Sequence, residues 1–355
     1  MNLCMGCDYI MRKSICFLLI FCILSSLSLV GCNSDPVDEN TPPSSESTPS
    51  STESTPPDSE TVQPNESPVS DFEYTVNNDG GITINKYIGK AVDVVIPEKI
   101  NGKNTTAIAR NAFFRNDEIV TVIMPDTVTT IEYTAFEHCS SLVKVSLSQN
   151  LSSIKNAVFK DCKNLSEITL PQSLVQIGNS AFENCTSLKE ITIPKNVSQW
   201  GFNAFLWCSG LSKVTIEEGV QTIGENAFAG TNISEIVLPN SVTEIRTQAF
   251  GGCPNLEFVE LNENLVKIGD RAFGGKSKLT EIVIPKSVKD ITEHAFSGCD
   301  TLEKVKFEGN APEAYVYPLE IIPFGPIDVH YTIYYHRDAQ GFASPEWNGY
   351  PTEIW

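Results

Sequence analysis

The sequence has few of the residues that most often carry enzyme or metal chemistry. None of its four histidines has another histidine or a cysteine at the spacing of a metal site. His138 is next to Cys139, but adjacent side chains point apart and make a poor nucleophile–base pair. The sequence also lacks a Gly-x-Ser-x-Gly turn, a phosphate-binding loop and an EF-hand loop. We therefore predict a protein with no catalytic residues, no metal and no cofactor. The histidines are His138, His294, His330 and His336.

Basic residues are also scarce. The chain has 25 Lys and Arg residues against 44 Asp and Glu residues, which gives a formal net charge of -19 at pH 7. A chain this acidic repels the phosphates of nucleic acids and of anionic lipids. The charge balance therefore argues against nucleic acid as a partner.

The one long apolar run lies near the N-terminus. A basic start at Met11, an apolar core over residues 15–24 and the sequence Leu-Val-Gly-Cys ending at Cys32 predict a signal peptide in residues 1–31. The last four residues resemble the bacterial lipobox, which implies cleavage before Cys32 and a lipid on its side chain. An ordinary signal peptide with an unmodified Cys32 is the alternative. Residues 1–10 precede a complete signal, so we expect translation to start at Met11.

Residues 32–71 are predicted to form a disordered linker. The segment is rich in Ser, Thr, Pro and Glu, and residues 33–71 carry nine carboxylates and no Lys or Arg. It has too few apolar side chains to offset the entropy that folding would remove. Proline and charge repulsion favour an extended chain. We expect a tether between the lipid on Cys32 and a folded domain.

An internal period dominates the rest of the sequence. A small residue followed by Phe recurs nine times, and successive Phe residues are 23 apart except for one spacing of 22. Each copy also has a short Leu-x-x-Ile-x-Ile/Leu segment, which is typical of a β-strand. Because no copy can bury its apolar residues alone, we predict stacked copies with parallel strands about 4.8 Å apart. These landmark phenylalanines are Phe113, Phe136, Phe159, Phe182, Phe205, Phe228, Phe250, Phe273 and Phe296.

Six cysteines share one repeat position, three residues after a landmark phenylalanine. Asn116, Thr231 and Lys276 hold that position in the other copies. This interchange favours free cysteines that fill the turn as small buried residues. Disulfides between stacked neighbours in the first four of these copies are the alternative. The six residues are Cys139, Cys162, Cys185, Cys208, Cys253 and Cys299.

The repeated pattern AFxxCxxLxxIxIPxxVxxIG resembles the BspA-type leucine-rich repeats of bacterial surface proteins. Residues 82–89 and 94–102 are similar to that family's N-terminal entry, and residues 332–335 and 347–351 to its C-terminal end. The resemblance implies a β-rich solenoid with repeats of about 23 residues. We expect an N-terminal cap at residues 72–111, repeats at 112–308 and a C-terminal cap at 309–355. Family members are often described as adhesins, and no family catalytic motif exists to carry over.

One copy carries apolar residues where the others are polar or small. Leu206 and Trp207 follow landmark Phe205, at positions that hold Glu-His or Gly-Gly in other copies. Exposed Trp is enriched at binding hot spots, so we predict an exposed contact patch at Leu206 and Trp207. In the alternative, Trp207 folds over Trp200, which replaces an inward Ile and is expected in the core.

The outward positions of the strands form two lines along the solenoid. We expect most of their charges to pair across neighbouring strands rather than to encode a partner. Phe258 is an aromatic residue in a line that is otherwise almost wholly polar. It is therefore the third candidate binding residue.

These observations favour a lipid-anchored protein outside the cytoplasm, exposed on the cell surface. Its adhesin-like solenoid would bind a host matrix protein, a mucin, or another surface protein or glycan, with Cys32 holding it to the membrane. An envelope scaffold without a host ligand is the alternative. An enzyme or carbohydrate-active accessory is the third hypothesis, and no residue singles it out.

Overall fold

The computed structural model describes residues 65–292, 294–312, 331–347 and 350–355. The predicted signal peptide, the lipidation site Cys32 and residues 32–64 of the predicted linker lie outside these residues, as does His330. The chain divides into two units, Met1–Thr61 and Val62–Trp355, and the described residues belong to the second. Within the described residues, the secondary structure consists of one 3-10 turn, Val69–Asp71, and short β-strands.

Five strands open the folded unit: β1 (Phe72–Val76), β2 (Ile82–Tyr87), β3 (Asp93–Val95), β4 (Lys99–Ile100) and β5 (Lys103–Ile108). β1 and β2 form an antiparallel hairpin, and β4 is antiparallel to β5. β2 pairs with β5 in parallel. These two antiparallel pairs therefore lie at the start of the solenoid, where the parallel stack begins.

Each repeat then contributes two strands, and the second of each pair is only two residues long. Stacked copies pair in parallel in groups, namely β3-β6-β8-β10, β12-β14, β16-β18 and β20-β22 on one side, and β5-β7-β9-β11-β13 and β15-β17-β19-β21 on another. The strands are β6 (Thr121–Ile123), β7 (Thr130–Ile131), β8 (Lys144–Ser146), β9 (Ser153–Ile154), β10 (Glu167–Ile168), β11 (Gln176–Ile177), β12 (Glu190–Ile193), β13 (Gln199–Trp200), β14 (Lys213–Ile216), β15 (Thr222–Ile223), β16 (Glu235–Val237), β17 (Glu244–Ile245), β18 (Phe258–Glu260), β19 (Lys267–Ile268), β20 (Glu281–Ile284), β21 (Asp290–Ile291) and β22 (Lys304–Phe307).

Three further strands end the chain: β23 (Thr332–Tyr335), β24 (Glu346–Trp347) and β25 (Tyr350–Ile354). β23 continues the parallel stack from β22, and β25 pairs in parallel with β23. β24 is antiparallel to β25 at the edge of this sheet. The result is a β-solenoid of about 11 turns with repeats of roughly 23 residues, as predicted.

The register between stacked strands places equal repeat positions opposite each other. Glu190 lies opposite Lys213, and Ile191 lies opposite Val214. Side chains alternate between the two faces of a strand, so one set points inward and one outward in every copy. Each repeat position consequently forms its own line along the solenoid.

The landmark phenylalanines form a continuous buried column. Neighbouring rings from Phe113 to Phe296 stack with centroids 4.5 to 5.7 Å apart. Tyr87 extends the column into the first turns, 5.4 Å from Phe113 and 5.4 Å from Phe72. These rings are almost fully buried, so the residue that defines the repeat is also the centre of the core.

Two residues in each landmark turn have positive φ. One lies two residues before the landmark phenylalanine and the other two residues after it, as with Asn203 (φ 64°) and Trp207 (φ 58°) around Phe205. Four of the copies hold glycine at the later position. Glycine has no Cβ, so it adopts positive φ without the steric cost that other residues have. A backbone bond from that position joins the next copy, for example from the N–H of Trp207 to the carbonyl of Ala229 at 2.9 Å.

The six cysteines are buried and free, which confirms the prediction of unpaired thiols. Each thiol donates to the backbone carbonyl of the landmark phenylalanine in an earlier copy, as in Cys185 to Phe159 at 3.1 Å and Cys208 to Phe182 at 3.0 Å. Burial raises the pKa of the Cys253 and Cys299 thiols to about 11, and the pKa values of Cys162 and Cys185 also rise. The cysteine position therefore hydrogen-bonds a carbonyl inside the turn.

Candidate partner-binding surfaces

Trp207 is held in a backbone conformation that suits a smaller residue. Its φ of 58° lies in the left-handed region, which costs a bulky side chain about 1 kcal/mol. The same position in other copies holds residues such as Asn184 and Gly230. Because hydrogen bonds to the next copy fix this turn, the strain stays when Trp is present. All nine landmark turns have positive φ at this position, so the conformation belongs to the repeat and the tryptophan side chain is what sets this turn apart.

The indole of Trp207 leans over the next copy and stays exposed. A Cβ placed on Gly230 would lie 2.6 Å from Cδ1 of Trp207, so the glycine leaves the space that the ring covers. Trp207 nevertheless keeps 58% of its surface accessible, and Leu206 is half-buried. The structure thus places Leu206 and Trp207 side by side in one turn, with the indole facing solvent.

Trp200 packs separately from Trp207. Its ring and that of Phe228 meet edge to face, with centroids 6.0 Å apart. A Cβ placed on Gly224 would lie 2.7 Å from the Cβ of Trp200. The expected core role of Trp200 is confirmed, since it is partly buried against the core cluster. Among the described residues, no ring contact joins Trp200 and Trp207. The tryptophan-over-tryptophan alternative therefore does not describe this turn.

Phe202 adds a third apolar side chain to the same turn. It lies three residues before landmark Phe205 and is 52% exposed. Its repeat position holds asparagine in another copy, as at Asn179. We term Phe202, Leu206 and Trp207 the tryptophan turn. It lies between β13 and β14.

Phe258 lies on a different surface, on the outward side of β18. It is 48% exposed and lies opposite Glu235 of β16. Val237, also on β16, is 53% exposed and lies opposite Glu260. The structure therefore does not bring the three predicted binding residues together. It separates them into the tryptophan turn and the strand face.

Charges on the strand face pair across neighbouring strands near the middle of the solenoid. Lys144 lies 2.8 Å from Glu167, and Lys213 lies 3.6 Å from Glu190. These contacts confirm the expected cross-strand pairing. All four side chains are more than half exposed, so each pair contributes little to stability.

A shallow pocket of about 270 Å³ opens on the strand face between β10, β12 and β14. The repeat pattern does not predict this pocket, because the pocket lies where the parallel pairing of β10 is not continued by β12. Threonines and the Glu190–Lys213 pair supply its polar groups. It is lined by Ile168, Thr169, Leu170, Glu190, Ile191, Thr192, Lys213 and Thr215.

No group of three or more His, Cys, Asp or Glu residues in the described part of the chain is arranged to hold a metal ion. No helix in that part of the chain is both long and apolar enough to cross a membrane. His138 lies 3.7 Å from Asp161 and 3.9 Å from Glu137 in a landmark turn where all three side chains are partly buried.

The repeats match a known family. The BspA type leucine rich repeat region is matched by residues 93–211 and 201–317, with 6 copies. The chain belongs to the BspA-type leucine-rich repeat family. Members of this family and its structural neighbours are repeat proteins that are generally not enzymes. The solenoid suggests a protein-binding or surface module.

Three solved structures of leucine-rich repeat proteins are similar to this chain. A leucine-rich repeat protein from Bacteroides ovatus is 27% identical, with a TM-score of 0.63, and the match covers 75% of this chain and 70% of that one. A T. pallidum leucine rich repeat protein is 30% identical over 54% of this chain and 91% of its own, with a TM-score of 0.48. A leucine rich cell surface protein from Faecalibacterium prausnitzii is 22% identical, with a TM-score of 0.47, and the match covers 82% and 98% of the two chains. No match was found among curated protein sequences.

Proposed function

We propose that the protein is a lipid-anchored, surface-exposed module that binds a macromolecular partner through the tryptophan turn. The observation that supports this most directly is the indole of Trp207, which is 58% exposed. The other landmark turns form with glycine or a polar residue at this position, so the turn itself does not require a large apolar side chain there. Family membership supports a binding role, because solenoids of stacked repeats present extended surfaces to partners.

The proposed partner is a host matrix protein, a mucin, or another surface protein or glycan. Aromatic side chains supply large contact areas at low conformational cost, and truncating a hot-spot Trp typically costs about 2 kcal/mol or more. Leu206 and Phe202 would border the indole and exclude water from the contact. No catalytic group or cofactor is needed for this function.

The proposed location rests on the N-terminal sequence. The lipobox-like residues before Cys32 and the acidic, proline-rich segment after it support a lipid anchor followed by a tether. Metabolic labelling with a fatty-acid analogue tests the anchor. We expect label on the protein and its loss in Cys32→Ala. Equal labelling of the two would contradict the anchor.

Binding of residues 72–355 to a panel of matrix proteins, mucins and glycans tests the partner. We expect a saturable signal at physiological salt that Trp207→Ala reduces more than tenfold, equivalent to about 1.4 kcal/mol. Tyr133→Ala is the matched control, because Tyr133 is a 44% exposed aromatic in a landmark turn of another copy. A flat panel from a folded protein would favour the envelope scaffold instead.

A further inference from the structure

Three neighbouring strands present an alternating surface of carboxylates and apolar side chains. The two outward positions of each strand hold one Glu and one apolar residue, and their order reverses on the middle strand. β16 and β18 are paired in this register, and β20 lies against β18. We term this set the checkerboard: Glu235 and Val237 on β16, Phe258 and Glu260 on β18, and Glu281 and Val283 on β20.

The reversal places an exposed aromatic ring between carboxylates. Phe258 lies opposite Glu235 on the paired strand β16, and Glu260 follows Phe258 two residues later. Glu281 holds the same repeat position on β20. Paired strands such as β16 and β18 are about 4.8 Å apart, and alternate residues on a strand are about 6.7 Å apart. A group bound over Phe258 is therefore within reach of more than one carboxylate.

Two of these carboxylates have no cation of their own. Glu281 is bonded to Lys306 at 2.6 Å, whereas Glu235 and Glu260 form no ion pair with any residue that the structure describes. Lys213 on the adjacent β14 is already 3.6 Å from Glu190. Negative charge thus collects around Phe258 and Val237, which are both about half exposed.

An arginine side chain has the chemistry that fits this arrangement. Its planar guanidinium stacks on aromatic rings and forms bidentate bonds with carboxylates, which a lysine ammonium does not. A guanidinium over Phe258 would combine a cation–π contact with attraction to Glu235 and Glu260. Its aliphatic stem would cover Val237.

We propose that the checkerboard binds an arginine-containing segment of a partner protein. This inference rests on the proposed function in that both assign the solenoid a binding role, but it concerns the strand face and not the tryptophan turn. The net charge of the chain favours a cationic partner in general. The checkerboard adds the local geometry that selects arginine.

The test uses three dodecapeptides with the same neutral sequence and two Arg, two Lys or two citrulline residues. Their affinities for the full chain are measured by fluorescence anisotropy at 50 and 150 mM salt. We expect the Arg peptide to bind at least about threefold tighter than the Lys peptide and the citrulline peptide at least about tenfold weaker. Equal affinities for Arg and citrulline would overturn the proposal.

Matched variants locate the site. We expect two variants to lower the affinity for the Arg peptide about tenfold each, namely Phe258→Ala and the double variant Glu235→Gln/Glu260→Gln. Glu167→Gln/Glu190→Gln removes the same charge from the paired part of the strand face and should change affinity less than about twofold. If both double variants weaken binding equally, the attraction is diffuse and the proposal is wrong.

The outcomes also separate this inference from the proposed function. Trp207→Ala should leave peptide affinity unchanged. If no peptide binds, but a partner from the panel binds the unchanged protein and not Trp207→Ala, only the checkerboard proposal fails. If the Arg peptide binds at Phe258 and no member of the panel binds, the checkerboard proposal is supported and the proposed binding role of the tryptophan turn is contradicted.

Discussion

The interior of the solenoid repeats the same contacts in every copy, whereas its surface does not. Rings of neighbouring landmark phenylalanines stay 4.5 to 5.7 Å apart along the whole column. At the surface, one turn carries Trp207 where the other copies have Gly, Asn, Asp, His or Arg, and one strand carries Phe258 where its neighbours have Glu. Stacking requires equal positions to match, so interior residues cannot distinguish one copy from another. The proposed binding surfaces accordingly lie at positions where a copy departs from the rest.

The two parts of the strand face differ in the same way. Around β8 to β14, Glu167 and Glu190 are compensated by Lys144 and Lys213. On β16 and β18 the carboxylates have no such partners among the described residues, and Phe258 stands at the repeat position that Lys144 and Lys213 hold. The same repeated backbone thus carries one surface whose carboxylates are paired with lysines and another whose carboxylates are unpaired.

The largest effect is expected in the interior. Phe182→Ala should lower the free energy of unfolding by about 3–5 kcal/mol, because it leaves a cavity in the column. Its ring stacks on both neighbours, at 5.3 and 4.9 Å. Urea unfolding measures the change.

Phe202→Ala is the control, because it makes the same substitution at a ring that is 52% exposed. It should cost less than about 1 kcal/mol. Equal losses in the two variants would contradict the division between interior and surface.

The buried thiols give the second effect, which depends on pH. Burial raises the pKa of the Cys253 and Cys299 thiols from 9.0 to about 11. The folded protein therefore holds the thiol protons more tightly than the unfolded chain does. This contribution to the free energy of unfolding is complete below pH 9 and is lost as the pH rises towards 11. At pH 10 each thiol should cost about 1.4 kcal/mol relative to pH 7.

The double variant Cys253→Thr/Cys299→Thr isolates this effect, since Thr231 already occupies the same repeat position. Comparing urea unfolding of the two proteins at pH 7 and pH 10 cancels the groups that they share. The variant should lose less stability on going to pH 10. A loss as large as that of the unchanged protein would show that the thiols do not titrate as buried groups.

The third effect is small for stability and large for binding. Trp207→Asn places a residue tolerant of positive φ in the turn, as at Asn184. It should change the free energy of unfolding by less than about 1 kcal/mol. Thermal unfolding checks this change, and a destabilisation near that of Phe182→Ala would make Trp207 a core residue.

The smallest effect is expected for the compensated strand face. The Glu190–Lys213 pair is about 70% exposed on both sides, so its coupling energy should be about 0.2–1 kcal/mol. A double-mutant cycle with Glu190→Gln and Lys213→Met gives this value. A coupling of several kcal/mol would mean that this surface stabilises the fold.

The fold followed from the sequence because the landmark phenylalanines recur at a nearly fixed period, and stacking requires that period. The six free thiols followed because Thr231 and Asn116 replace cysteine at the same position. Surface details did not follow in the same way. That the indole of Trp207 covers Gly230 depends on a turn with positive φ, which the periodic pattern does not encode.

The checkerboard was only half visible in the sequence. Phe258 was recognisable as an aromatic residue in a polar line. The significance of Val237 required the register that sets it beside Glu260 and diagonal to Phe258.

One comparison tests the central claim most directly, namely that departures from the repeat bind the partner. Phe182→Ala, Trp207→Asn, Tyr133→Ala and the unchanged protein are each measured for stability and for binding to a partner found in the panel, at a temperature where all are folded. We predict that Phe182→Ala loses stability but keeps its affinity, and that Trp207→Asn keeps its stability and loses affinity more than tenfold, or about 1.4 kcal/mol. Unchanged affinity in Trp207→Asn would contradict the claim that this turn recognises the partner.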